Sequence, residues 1–194
     1  MKHLFHEFNL RPFNLTEFQI IQGCIEGDAS CQRLLFERYA GKMLVVCLRY
    51  ATDHMEAEDI LQNGFIKVFR YISQFKHEGS FEGWVRRVMV NTALKHCQKK
   101  RIRFDELHPD MQNGPSIDPY VYSHLGENDL LHLIRQLPEG YRIVFNLHII
   151  EGYSHEEIAT MLGIKDSTSR SQLVKARRML QMAITSLHKT TIAV

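Results

Sequence analysis

Apolar residues recur at three- and four-residue intervals along most of the chain, which is the pattern of helices that each bury one face. Residues 1–15 show no clear period and read as a loose tail. Thr16 can cap a first helix that runs to about Gly27, with Phe18, Ile21 and Ile25 inward. Asp28 caps a longer helix whose apolar positions include Leu34, Leu35, Tyr39, Val46 and Leu48. Asp53 with Glu56 forms a capping box, so a third helix starts near His54 and carries Ile60, Leu61, Phe65, Ile66, Val68, Phe69 and Ile72. That helix has two apolar stripes, and a single core uses only one of them fully. Asp59, Gln62 and Asn63 beside the second stripe suit a face turned to a partner.

A polar loop, Lys76 to Gly79, lies between Phe75 and Phe81, and Ser80 starts the next helix. Trp84, Val85, Val88, Met89 and Leu94 form its buried side, with Trp84 read as a core anchor. Arg86, Arg87, Lys95 and Lys99 make the remainder basic. Phe75 and His77 sit at a loop edge beside that basic helix, where aromatic rings can stack on unpaired bases. Residues 104–128 hold Pro109, Pro115 and Pro119 and read as a linker. Helices resume at about Asn128, with Leu130, Leu131, Ile134 and Leu137 inward; Pro138 stops that helix and opens another.

The last apolar pattern is a helix-turn-helix. Ser154 and Glu157 form a capping box, Gly163 ends the first helix, and Asp166 or Ser167 caps the second. Ser169, Leu173, Ala176 and Leu180 share the packing side of the second helix; Arg170, Ser171, Val174, Lys175 and Arg178 lie on or near the free side. A free, polar, basic helical face fits a DNA major groove. The fold class is therefore all-α: a helical bundle over residues 16–103, the linker, and a four-helix unit over 129–188.

Charge sharpens this division. Residues 67–103 hold ten basic and two acidic side chains, residues 104–129 hold six acidic and no basic ones, and residues 165–194 hold six basic and one acidic. Two basic blocks on either side of an acidic bridge suggest two contacts with polyanion on one protein. The four cysteines form no CxxC and fall in helical patterns, which suits buried thiols in a reducing cytoplasm. The eleven histidines are scattered, so no metal or other cofactor is expected. The apolar runs are too short to span a membrane, and the first residues lack the core and cleavage site of a signal peptide. No carboxylate cluster, Gly-rich phosphate loop or nucleophile–base motif marks an enzyme.

The ordered set of AEDILQ, the FKHEGSFEGW loop and helix start, VNTALKH, and LPEGYRIVFNLHIIEGYSHEEIATMLGIKDSTSRSQLVKARRML resembles bacterial sigma factors of the extracytoplasmic-function type. The resemblance covers about residues 20–185. It implies an RNA polymerase specificity subunit with two domains, regions 2 and 4. It implies that Asp59, Leu61, Gln62, Asn63 and Ile66 face the clamp helices of the polymerase β′ subunit, with the β flap as a further contact; the family usually carries an acid at Asn63 and a larger residue at Gly64. It implies that Phe75, Lys76 and His77 belong to a loop that captures a flipped base of the minus-10 element, with Asn91 lining the pocket and Arg86, Arg87, Lys95 and Lys99 holding the strand. In region 4 it implies that Arg170, Ser171, Val174 and Lys175 read the minus-35 duplex, with Thr168, Gln172, Arg177 and Arg178 on phosphates. Ser169 stands where the family commonly has valine and is expected to be buried, bonding an earlier carbonyl. The family's usual inhibitor is an anti-sigma protein, often membrane-bound. The rival reading is a helix-turn-helix regulator that binds DNA without polymerase; it leaves the first basic block and its aromatic loop without a role.

Overall fold

The computed structural model describes residues 15–107 and 127–192, with side chains described over 15–99 and 130–185. The expected tail and linker lie outside the described residues, apart from Leu15 and the two ends of the linker, which belong to flanking helices. The helices are α1 (Glu17–Ile25), α2 (Ala29–Leu48), α3 (His54–Tyr71), α4 (Phe81–Leu107), α5 (Glu127–Arg135), α6 (Glu139–Phe145), α7 (His155–Leu162) and α8 (Asp166–Ile192). A short 3-10 turn, Ile72–Gln74, follows α3, and a π turn, Asn146–Ile150, continues α6. No strand occurs among the described residues, so the all-α expectation holds.

Local chemistry sets the helix ends. The Thr16 hydroxyl accepts from Gln19 N–H while the Gln19 side chain accepts from Thr16 N–H. Asp28 accepts from Ser30 and Cys31 N–H. Ser154 and Glu157 close a reciprocal box at 3.2 and 2.7 Å, and Gly163 ends α7 with φ 66°, the left-handed conformation that glycine adopts at little cost. Two caps differ from expectation. Asp53 caps α3, but the Glu56 carboxylate reaches one residue further back, to Thr52 N–H and Oγ1. At α8 the Lys165 carbonyl accepts from Thr168 and Ser169 N–H, which places Asp166 inside the first turn, paired with Arg170.

In the N-terminal half, α2 packs on α1, α3 and α4 around Leu35, Met43, Val46, Ile60, Phe65, Val68, Phe81, Val85 and Met89. At Gly64 α3 lies tight against α4: a Cβ there would lie 2.1 Å from Met89 Sδ, so no larger residue fits without moving Met89. In α1 the buried arc runs through Ile20, Ile21 and Cys24, and this rotation leaves Phe18 and Ile25 exposed, contrary to expectation. In α5, Leu130 is likewise exposed and Leu133 takes the inward position. Leu133, Ile134, Leu137, Ala176 and Leu180 form a second, smaller core. Ile143, Val144, Leu147, Ile158 and Leu173 join the first core instead, so the two halves share apolar packing. All four cysteines are buried thiols outside any disulfide, and burial pushes the Cys24 and Cys47 thiols up to about 12, where they stay protonated and unreactive.

Candidate nucleic-acid interface

Three sets of residues carry the expected chemistry. The first surrounds a cavity of about 330 Å³ between the 75–80 loop and α4, lined by Gln74, Phe75, Lys76, Glu78, Trp84, Arg87, Val88 and Asn91. Aromatic contacts build it. Phe75 is only 9% exposed and packs edge-on against Phe81 and obliquely against Trp84, while Phe81 and Trp84 stack. Phe75 is therefore part of an aromatic floor rather than an open platform. Trp84 is half-buried and lines the cavity, so it is less of a core anchor than expected. Lys76, Arg87 and Asn91 offer donors at the rim, and Gln74 and Asn91 offer both donors and acceptors.

His77 does not line this cavity. It holds φ 59°, the left-handed region, the only non-glycine among the described residues to do so. Its ring packs on Phe75 and on Phe18, with centroids 4.7 and 5.7 Å away. Ring contacts with Phe75 and Phe18 support a backbone conformation that few non-glycine residues adopt. Phe18, which the pattern of α1 had placed inward, thus sits beside the loop.

Basic residues continue from the cavity along α4. Asn91, Lys95 and Lys99 recur every four residues and are exposed, so they share a face. Lys67 of α3, not singled out in the sequence, joins them: its Nζ donates to Thr92 Oγ1 at 3.0 Å, and that hydroxyl donates to Val88 O at 2.8 Å. Burial, with help from Lys95 and Lys99, lowers the Lys67 pKa. None of these three lysines has a carboxylate partner among the described residues. Three cations without a carboxylate partner among the described residues are chemically suited to phosphate. Only the tertiary pairing of α3 with α4 brings Lys67 there.

Arg86 lies elsewhere. Its Nε and Nη2 donate to Glu151 Oε2 and Oε1 at 2.6 and 2.8 Å, 65 residues away. That bidentate pair raises the Arg86 pKa and engages its guanidinium with Glu151. The expected strand contact is already occupied by a carboxylate of the C-terminal half.

The second set is the outer face of α3. Asp59, Gln62, Asn63 and Ile66 are exposed, with Ile66 56% exposed and Asn63 Nδ2 donating to Asp59 O. Leu61 does not belong to it. At 7% exposure it lies in the core beside Ile60 and Phe65, and this corrects its expected place at a partner face.

The third set is α8. Arg170, Ser171, Val174, Lys175, Arg177 and Arg178 are exposed. Arg170 Nε donates to Asp166 at 2.8 Å, Ser171 Oγ donates to Thr168 O, and Lys175 Nζ stands 5.7 Å from the Tyr141 ring centroid. Thr168 is half-buried, and Gln172 turns inward: its Nε2 lies 3.3 Å from where a Gly140 Cβ would be, so Gln172 packs on α6 instead of facing phosphate. Ser169 is fully buried as expected, but its hydroxyl pairs with His155 Nδ1 at 2.8 Å and not with an earlier carbonyl.

Residues 35–102 match the family described as Sigma-70 region 2, and residues 127–180 match Sigma-70, region 4. An extracytoplasmic-function (ECF) RNA polymerase sigma-E factor of Haemophilus influenzae is 30% identical over 190 residues, covering 89% of this chain and 97% of that protein. The ECF RNA polymerase sigma factor SigE of Mycolicibacterium smegmatis is 35% identical over 153 residues; the match covers 76% of this chain and 59% of that longer protein. In fold, the chain is similar to the sigma factor RpoE of Bartonella quintana, solved in complex with the anti-sigma factor NepR, with a TM-score of 0.52, 20% identity, and coverage of 79% of this chain and 96% of that one. No helix among the described residues is long and apolar enough to cross a membrane. Together the two family matches and the near full-length relative establish that the chain belongs to the sigma-70 family, in its extracytoplasmic-function group.

Proposed function

We propose that this chain directs core RNA polymerase to a set of promoters by reading two separate DNA elements and serves as a specificity subunit, not as a catalyst. The observation that carries this reading is the cavity beside α4, with its aromatic floor, its polar rim, and the Lys67–Lys95–Lys99 track that leads away from it. A cavity of about 330 Å³ admits one nucleobase, and closed duplex has no base to offer it. A strand opened at the minus-10 element does. Stacking against Trp84, backed by the buried Phe75 ring, offsets the cost of extruding the base, Asn91 and Gln74 meet its hydrogen-bonding edge, and the lysines hold phosphates without reading sequence.

The exposed face of α8 takes the minus-35 element as duplex, with Arg170 at base edges and Arg177 and Arg178 on phosphates. The strip of Asp59, Gln62, Asn63 and Ile66 faces the polymerase β′ clamp, and the β flap receives the C-terminal unit. The proposed division is region 2 over 16–103, region 4 over 129–188, and a bridge over 104–128 that joins them in the cytoplasm; the family matches over 35–102 and 127–180 support two units without fixing these bounds. An anti-sigma protein completes the partners, as in the Bartonella complex.

Run-off transcription tests this reading. The purified chain mixed with core polymerase and a matching promoter should yield a defined transcript. A chain that binds DNA but neither associates with core nor starts transcription would be a plain regulator, and the proposal would fall.

A further inference from the structure

The two halves meet along a seam that no DNA or polymerase contact requires. The α2–α3 turn presents carbonyls that the end of α2 leaves without helical partners. The C-terminal half answers with donors. Arg142, 4% exposed, gives Nη2 to Tyr50 O at 3.1 Å and Nη1 to Arg135 O at 2.9 Å. Asn146, at the start of the π turn, gives Nδ2 to Arg49 O at 2.8 Å, and Arg135 gives Nη2 to Thr52 O at 2.8 Å. Glu151 closes the π turn, and its side chain is 6% exposed between Arg86 and, at 3.8 Å, Arg49. The π turn shifts the helical register so that Asn146 and Glu151 both reach the seam.

The seam is well bonded but not fully filled. A gap of about 100 Å³ remains between α4 (Leu94, Cys97) and α6 (Gly140, Ile143), and both Tyr50 Oη and Arg49 Nη1 are buried without a hydrogen bond. Such a seam can part, because separation returns these groups to water.

We infer that this seam is a latch: the free chain rests closed, and Glu151 on Arg86 sets how readily it opens to reach two promoter elements at once. The inference rests on the promoter reading above. Elements centred at minus 10 and minus 35 are about 25 base pairs apart, roughly 85 Å of duplex. A compact chain of this length has a radius of gyration of about 16 Å and is roughly 40 Å across. With the halves locked together, both elements cannot be met. With them apart, residues 108–126 reach at most roughly 60 Å between the two units, which restores the span.

Small-angle X-ray scattering on the free full-length chain tests this, in 150 mM salt with circular dichroism alongside. The wild type should show a radius near the compact value. Glu151→Arg should raise it by a quarter or more with helix content unchanged, and the charge swap Arg86→Glu/Glu151→Arg should bring it back. Glu151→Gln keeps the size of the side chain and should give a smaller rise. Run-off transcription with limiting sigma should show Glu151→Gln saturating core at lower concentration than wild type. An unchanged radius in both single variants, or a swap that fails to restore compaction in a helical protein, overturns the latch. A wild type already expanded overturns it too. A chain that opens and closes as described yet never supports run-off transcription refutes the promoter reading and leaves the latch standing.

Discussion

His155 Nδ1 and Ser169 Oγ lie 2.8 Å apart, and this one bond ties the first turn of α7 to the buried side of α8. Ser169 has no exposed surface, so its hydroxyl has no water to fall back on. Removing it as Ser169→Ala should cost about 1–3 kcal/mol of stability, because the histidine nitrogen loses its partner. Ser169→Val removes the hydroxyl but fills the space, and should cost less. Urea unfolding followed by circular dichroism separates the two.

His155 also makes the C-terminal half sensitive to acid. Burial lowers the His155 pKa below its ordinary 6.5, and the stacked His148 ring, Arg170 and Arg177 lower it further, against an opposing effect of Asp166. The unfolded chain then takes up a proton before the folded one does. Stability is therefore full above about pH 6.5 and falls as pH drops through that value toward the folded pKa. His155→Asn should flatten this dependence in urea melts compared at pH 7.5 and 5.5; an unchanged slope would assign the acid sensitivity to another group.

The cavity makes a sharper claim. Trp84→Ala removes part of its wall, and stacking of one base on an aromatic ring is worth about 1–3 kcal/mol. Binding of a single-stranded minus-10 oligonucleotide should weaken by roughly five- to a hundred-fold, with binding of minus-35 duplex unchanged. Asn91→Ala should alter which base is preferred at one position more than it lowers affinity overall. A fluorescent base analogue placed across the element in turn reads both effects.

Lys67 sits on α3, the helix whose outer face we propose for polymerase, yet its Nζ donates to Thr92 beside the α4 lysines. Lys67→Ala should leave core association intact and reduce the salt dependence of single-strand binding by about 0.7 in the log–log slope, the release of one counterion. Lys67→Arg should restore it. Loss of core binding with an unchanged slope would place Lys67 at the other interface.

Arg170 is held by Asp166 within α8, an exposed pair that orients the guanidinium without adding much stability. Arg170→Ala should cost about 1–3 kcal/mol at one base pair of the minus-35 element and relax the choice there. Arg178→Ala should weaken all duplexes alike. Equal losses across sequences for Arg170→Ala would make it a phosphate contact.

Short-range chemistry was legible without a structure. Thr16, Asp28, Asp53, Ser154, Pro138 and Gly163 act on groups within about a turn of themselves, so spacing alone located most helix ends and the helix-turn-helix. The order of the motifs was enough to indicate the family. What remained hidden depends on partners far along the chain. The rotation of α1 that exposes Phe18 depends on α2; the burial of Leu61 depends on which of the two α3 stripes the core takes; Gln172 turns inward because Gly140 leaves room for it. Arg86 is the clearest case. Its sequence neighbours are basic and suited to DNA, and only the packing of the two halves brings Glu151 to it across 65 residues. A side chain's type and helical phase follow from its near neighbours, whereas its partner is decided by how distant elements pack.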